Sequence, residues 1–184
     1  MRKSFFLLIL GLLLSYSATA QMKFKAGYLY NNLTVSTQMI PGSDNSTGHG
    51  FFAGFSYEIP AAKNLTFEPG LNFDWVNFDI SDDYNIYFLK APLHLNYNIE
   101  VSNVATIIAG VGSSLVIGLD GKYNPFGDDG LERFDLQLGL NVGVRIFEKF
   151  EIKAGYDWGL INMSDEDEFR MKRDGLNVGV AYIF

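Results

Sequence analysis

The sequence predicts an all-β protein, an eight-stranded antiparallel up-and-down transmembrane β-barrel with short periplasmic turns and longer external loops. Three observations predict it. Eight segments place apolar residues at every second position, the period of a strand whose two faces meet different surroundings. The connections between them alternate between short and long, as in barrels that cross an outer membrane. The chain opens on an export-type segment and closes on Asn177-Val178-Gly179-Val180-Ala181-Tyr182-Ile183-Phe184, apolar at alternate positions with a final aromatic, the form of a last barrel strand.

The opening segment comes first. Arg2 and Lys3 precede an apolar run from Phe5 to Leu14, and Ala18-Thr19-Ala20 stands before Gln21. This is the layout of a cleaved secretory signal over residues 1–20, leaving residues 21–184 as one barrel domain. Removing Arg2 and Lys3, the only charges in the signal, takes the formal charge from −7 to −9. A net acidic chain without a Lys/Arg cluster argues against nucleic acid as a partner. With no Cys in the sequence, disulfides, thiolate zinc sites and Cys nucleophiles are excluded. After the signal, no apolar run approaches the roughly 18 residues of a membrane helix.

The first strand is read from Lys23 to Val35, with Phe24, Ala26, Tyr28 and Tyr30 on one face. The second, Gly50 to Ile59, sends Phe51, Ala53, Phe55 and Tyr57 outward and Gly54, Ser56 and Glu58 inward. The third, Leu65 to about Phe78, places Leu65, Phe67, Leu71, Phe73 and Trp75 outward and Thr66, Glu68, Gly70, Asn72 and Asp74 inward. On the fourth, Ile86 to Ile99, Leu89, Ala91, Leu93, Leu95 and Tyr97 point out while Lys90, Pro92, His94, Asn96 and Asn98 point in. Each is close to the ~9–11 residues a tilted spanning strand needs.

The fifth strand, Val104 to Leu119, is less polar inside, with Gly110, Gly112, Ser114 and Gly118. The sixth has the cleanest alternation: Phe134 through Ile146 carries apolar residues on one face, and Arg133, Asp135, Gln137, Gly139, Asn141, Gly143 and Arg145 occupy the other. The seventh, Phe150 to Leu160, presents Phe150, Ile152, Ala154, Tyr156 and Trp158, and the eighth runs from about Gly175 to Phe184. Short connections fall at Pro60 to Lys63, Glu100 to Asn103 and Glu148-Lys149. Longer polar ones cover Ser36 to His49, Asp79 to Tyr84, Asp120 to Gly130 and Asn162 to Arg173. Both termini are therefore expected on the periplasmic side. Phe24, Tyr57, Phe67, Tyr97, Phe150, Tyr182 and Phe184 fall near the turn end, and Trp75, Phe134 and Trp158 near the loop end. Two such belts match aromatic girdles at the two bilayer interfaces.

Read together, Phe24-Lys25-Ala26-Gly27-Tyr28, Gly50-Phe51-Phe52-Ala53-Gly54, Phe67-Glu68-Pro69-Gly70-Leu71, Phe88-Leu89-Lys90-Ala91-Pro92-Leu93, Tyr156-Asp157-Trp158-Gly159-Leu160 and Gly179-Val180-Ala181-Tyr182-Ile183-Phe184 give the mature chain a resemblance to a known family. It resembles the PorT-like small outer-membrane barrels, the outer membrane protein beta-barrel domain group often labelled porin family protein. That family usually has a bulky aliphatic residue before the fourth-strand proline, where this chain has Ala91. The resemblance implies an eight-stranded barrel in the cell outer membrane and no enzyme.

For chemistry, parity sends Glu58, Glu68, Lys90, Arg145, Glu151 and Lys153 into a lumen that eight strands make just wide enough for side chains to fill. Mixed signs favour a salt-bridged plug over an ion path. If Ile146 pairs with Phe150, Arg145 lies opposite Glu151. His94 faces the interior and Ser114 sits on the neighbouring strand, an arrangement that does not present a Ser–His–acid set to lipid. His49 is read as a loop residue. Acidic positions Asp79, Asp82, Asp83, Asp128, Asp129 and Asp165 to Glu168 lie in the loops without EF-hand spacing; solvated surface is the default reading and weak divalent-cation binding the alternative. No catalytic, cofactor or metal residue is assigned. The expected partners are outer-membrane lipid and, through the last strand, the barrel-insertion machinery. The expected role is structural or interactive, with a narrow channel or an accessory part in secretion or envelope biogenesis as alternatives.

Overall fold

The structure, a computed structural model, describes residues 20–37, 43–79, 85–119, 126, 132–164 and 169–184. Alternation dominates these residues, and the backbone answers it with eight strands: β1 (Gln21–Thr37), β2 (Ser43–Ala62), β3 (Leu65–Phe78), β4 (Asn85–Ser102), β5 (Ala105–Leu119), β6 (Phe134–Ile146), β7 (Phe150–Gly159) and β8 (Phe169–Ile183). Each pairs antiparallel with the next, and β1 pairs with β8, closing the barrel. Closure leaves no unpaired sheet edge, the condition for a β-structure to cross a bilayer.

Parity assigns the two faces as the sequence predicts. Outward apolar residues such as Phe51, Val142 and Val180 are 58, 61 and 58 % exposed. An all-round apolar surface of this kind is stable only against lipid. The register brings Ile146 opposite Phe150 and Arg145 opposite Glu151, the pairing that the three-residue connection requires.

Several boundaries differ from the sequence reading. The segment expected as a loop from Ser36 to His49 is strand from Ser43 onward, and β8 begins at Phe169 rather than near Gly175. β4 continues to Ser102, and β2 runs to Ala62 through an irregularity between Pro60 and Ala62, so the turns there are tighter than expected. The cause is common to β1, β2 and β8. At ~3.3 Å per residue, the 20 residues of β2 extend well past the lipid, where the hydrogen-bond ladder continues without an apolar face. A stretch such as Asn45-Ser46-Thr47-Gly48-His49 then looks like a loop while pairing as strand with Leu33 and its neighbours. His49 is consequently an outward strand residue opposite Tyr30, not a loop residue.

The predicted signal lies outside the described residues apart from Ala20, as do Asp82, Asp83, Asp128, Asp129 and Asp165 to Glu168.

Candidate functional site: the barrel interior

The lumen has three layers. At the turn end, inward parity on five strands gathers an ion cluster. Lys23 from β1 reaches three carboxylates: Glu58 at 2.5 Å, Glu68 at 3.1 Å and Glu151 at 2.9 Å. Arg145 from β6 bonds Glu151 at 3.1 Å and also donates to Glu58. Lys153 bonds Glu151 at 2.9 Å and Glu68 at 3.1 Å. Glu68 further accepts from Ser56 and Asn96, both at 2.9 Å. Lys23, Glu58, Glu68 and Glu151 are buried and Arg145 and Lys153 partly so, and each charge is offset by opposite charge and hydrogen bonds, the condition under which buried ions are tolerated.

The middle layer is rich in amides. Lys90 bonds Asp157 at 2.6 Å, and Asn177 donates to the same carboxylate at 3.0 Å. A cavity of about 70 Å³ lies here, lined by Lys25, Asn72, Asp74, Lys90, His94 and Asn141 among others. Lys25 comes no closer than 3.8 Å to Glu68.

The loop-end layer is apolar, which the sequence reading did not anticipate. Leu29, Leu33, Val76, Phe78, Ile86, Phe88 and Val116 point inward and pack with Phe126 and Met163. Phe126 is fully buried and packs edge-on against Phe88, with ring centroids 6.2 Å apart. Its ring fills the space beside Gly118, where an added Cβ would come within 2.1 Å of Phe126 Cζ. Met163 is held by backbone bonds with Glu132 and Met171, both at 2.9 Å. Between this plug and the middle layer, Arg173 stacks its guanidinium over Phe88 at 3.9 Å and faces Asp135 at 3.8 Å.

The six charges singled out for the lumen, Glu58, Glu68, Lys90, Arg145, Glu151 and Lys153, all point inward, as do Asp74 and Asp135, whereas Arg133 at the start of the sixth segment is exposed. Glu58, Glu68, Arg145, Glu151 and Lys153 belong to one cluster, while Lys90 stands apart with Asp157. Lys23 and Lys25 escaped the sequence reading, although they flank outward Phe24 and share the inward parity. Arg173 escaped because its segment read as loop. The loop-end plug escaped because inward apolar residues on one strand look no different from outward ones on the next.

His94 faces Gly112 and Ser114 faces Pro92 across the β4–β5 ladder. Ser114 Oγ has no hydrogen-bond partner, so no Ser–His bond forms. Among the described residues no group of His, Cys, Asp and Glu is placed to hold a metal ion.

The architecture is similar to that of solved outer-membrane barrels. The outer membrane protein OprG from Pseudomonas aeruginosa is 14 % identical, with 90 % of this chain and 96 % of that one covered, at a TM-score of 0.53. The outer membrane enzyme PagL is 8 % identical, with 83 % and 97 % covered, at a TM-score of 0.55. At such identities the likeness concerns the fold. A comparison with curated proteins finds no match. The family model of the outer membrane protein beta-barrel domain matches residues 5–184, and the chain belongs to that family of the cell outer membrane.

Proposed function

We propose that the protein is a sealed outer-membrane barrel with a structural or interaction role, neither a channel nor an enzyme. One observation carries this reading: the lumen is blocked twice, by different chemistry. At the turn end, Lys23, Arg145 and Lys153 are locked onto Glu58, Glu68 and Glu151. At the loop end, Phe126 and Met163 complete an apolar plug. A hydrated ion would have to break buried pairs, then shed water against hydrocarbon, and both steps are costly.

The absence of a Ser114–His94 contact supports a role without catalysis, as does the resemblance to PorT-like barrels. Export through cleavage of residues 1–20 belongs to the same proposal, supported by Arg2-Lys3 ahead of the Phe5 to Leu14 run. So does recognition of β8 by the barrel-insertion machinery, supported by the lipid-facing Val178, Val180, Tyr182 and Phe184.

Planar-bilayer recording tests the sealed lumen. The folded protein, verified by a shift in gel migration on boiling, should give no stable conductance. Steady openings of uniform size would overturn the reading in favour of a narrow channel.

A further inference from the structure

The outward face is not uniform around the barrel. On β5, β6 and β7 it stays apolar toward the loop end, through Ile117, Phe134 and Trp158, with Leu160 directly after β7. On β1, β2 and β3 the aromatic belt gives way to polar side chains. Phe51 stacks on Trp75 with centroids 5.9 Å apart and planes 9° from parallel. Tyr28 packs edge-on against Phe51 at 5.9 Å, and Tyr30 edge-on against His49 at 5.3 Å. The Tyr28 hydroxyl is hydrogen-bonded to His49 Nδ1. Either tautomer leaves Nε2 for a ligand hydroxyl, which both donates and accepts.

Immediately beyond the rings lies a fixed set of hydrogen-bonding groups. Thr47 Oγ1 donates to Asp79 Oδ2 at 2.9 Å, and the Asp79 amide donates to the Thr47 carbonyl at 2.9 Å. Asn77 Nδ2 donates to Asn85 Oδ1 at 3.1 Å, and Asn32 stands opposite Thr47. These pairs hold the side chains in place before any ligand arrives, which lowers the cost of binding. The position is the polar boundary of the bilayer, since aromatic belts mark that level.

The chemistry selects the ligand. Recognition of a phosphate headgroup calls for Arg or Lys. The described outward residues of β1, β2 and β3 include neither at this end, and the Asp79 carboxylate repels an anion. Lys172 stands at the margin, on β8 opposite Thr34. Aromatic rings backed by amides, a hydroxyl, an imidazole and a carboxylate instead match a neutral sugar. Its C–H face packs on rings and its hydroxyls pair with Asn, Asp and His.

We propose that Tyr28, Tyr30, Thr47, His49, Asn77 and Asp79 form a binding sector for the neutral sugar headgroup of an outer-leaflet glycolipid. The sector faces the bilayer at headgroup level, so a membrane-borne sugar meets it directly. This deepens the interaction role proposed above and rests on it; lipid retention is measured independently of conductance, so the two readings fail separately.

The test uses the full chain in phosphatidylcholine nanodiscs containing a minor fraction of monogalactosyl diacylglycerol. After transfer to detergent, the lipids retained by the protein are quantified by mass spectrometry. The wild type should retain the galactolipid in excess of its input fraction. The triple variant His49→Ala, Asn77→Ala and Asp79→Ala should lose that excess about tenfold, the effect of roughly 1.4 kcal/mol in affinity. Should the triple variant lack the boiling-dependent migration of the folded barrel, Asp79→Asn and Trp75 fluorescence in a Trp158→Phe background give the same comparison with less perturbation. Equal retention by wild type and variant overturns the proposal. So does preferential retention of phosphatidylglycerol, which assigns the sector to anionic headgroups. An equally strong Trp75 response to soluble methyl galactoside overturns the membrane source and assigns the sector to a soluble glycan.

Discussion

Glu68 shows how one residue organises the turn end of the lumen. It is 2 % exposed and meets Lys23, Lys153, Ser56 and Asn96 within 3.1 Å. A carboxylate so placed is legible from parity alone, because Phe67 and Leu71 face lipid on either side of it. The pairing of Arg145 with Glu151 was legible too, since a short connection after Ile146 leaves little freedom of register. What parity could not reveal was that the pair belongs to a larger cluster: Arg145 also meets Glu58, and Glu151 also meets Lys23 and Lys153. Such contacts cross the lumen between strands distant in the ladder, and no local pattern encodes them. Arg145→Ala and Glu151→Ala should each destabilise the barrel. The cost of breaking a buried pair is about 3–5 kcal/mol, reduced here because Lys23 and Lys153 remain beside the surviving carboxylates. The double variant should lose less than the sum, with a coupling of roughly 1–3 kcal/mol. Urea unfolding of the four proteins of the cycle checks it, and strict additivity would mean that the two side chains do not interact.

At the scale of elements, the strands were legible where lipid dictates their pattern and obscure where it does not. β6 matches its predicted span of Phe134 to Ile146 because both faces are constrained along its length. The early part of β2 has no lipid to face, so its Ser, Asn, Thr and Gly composition resembles a turn while its ladder with β1 persists from Ser43. The β6–β7 turn holds a local conflict that composition also hides. Phe147 and Glu148 adopt φ of 52° and 56°, and the Lys149 amide donates to the Ile146 carbonyl at 3.2 Å. Two successive residues at positive φ lie in the left-handed region, which favours Gly and Asn. A β-carbon in that region costs roughly 1–2 kcal/mol. Glu148→Gly removes it at one exposed position and gives back part of the gain through greater freedom of the unfolded chain. The variant should be more stable by about 0.5–1 kcal/mol, read as a higher urea midpoint at unchanged slope. A lower midpoint would show that the Glu148 side chain contributes more than its backbone strain costs.

For the whole molecule, closure is the decisive event, because only the β1–β8 ladder turns a twisted sheet into a structure without edges. The ladder runs from Lys23↔Ile183 to Thr37↔Phe169, and the Phe184 amide adds a bond to the Met22 carbonyl at 3.0 Å. Within it Gly27 faces Gly179, and Phe52 from β2 lays its ring over both from inside the lumen. A Cβ on Gly27 would stand 2.3 Å from the Val178 carbonyl oxygen, 2.5 Å from Gly179 Cα and 2.6 Å from Phe52 Cε1. The phenyl ring could move aside, but the first two atoms are backbone of the partner strand and cannot yield without opening the seam. Overpacking a core typically costs about 1–3 kcal/mol, and here the strain falls on the ladder that closes the barrel. Gly27→Ala should therefore shift the urea midpoint downward while leaving a folded population. Gly27→Val, with two more carbons aimed at the same place, should leave little protein in the form that migrates differently before boiling. Wild-type folding yield for Gly27→Val would mean that the seam is looser than its contacts indicate, and that closure tolerates a β-carbon between β1 and β8.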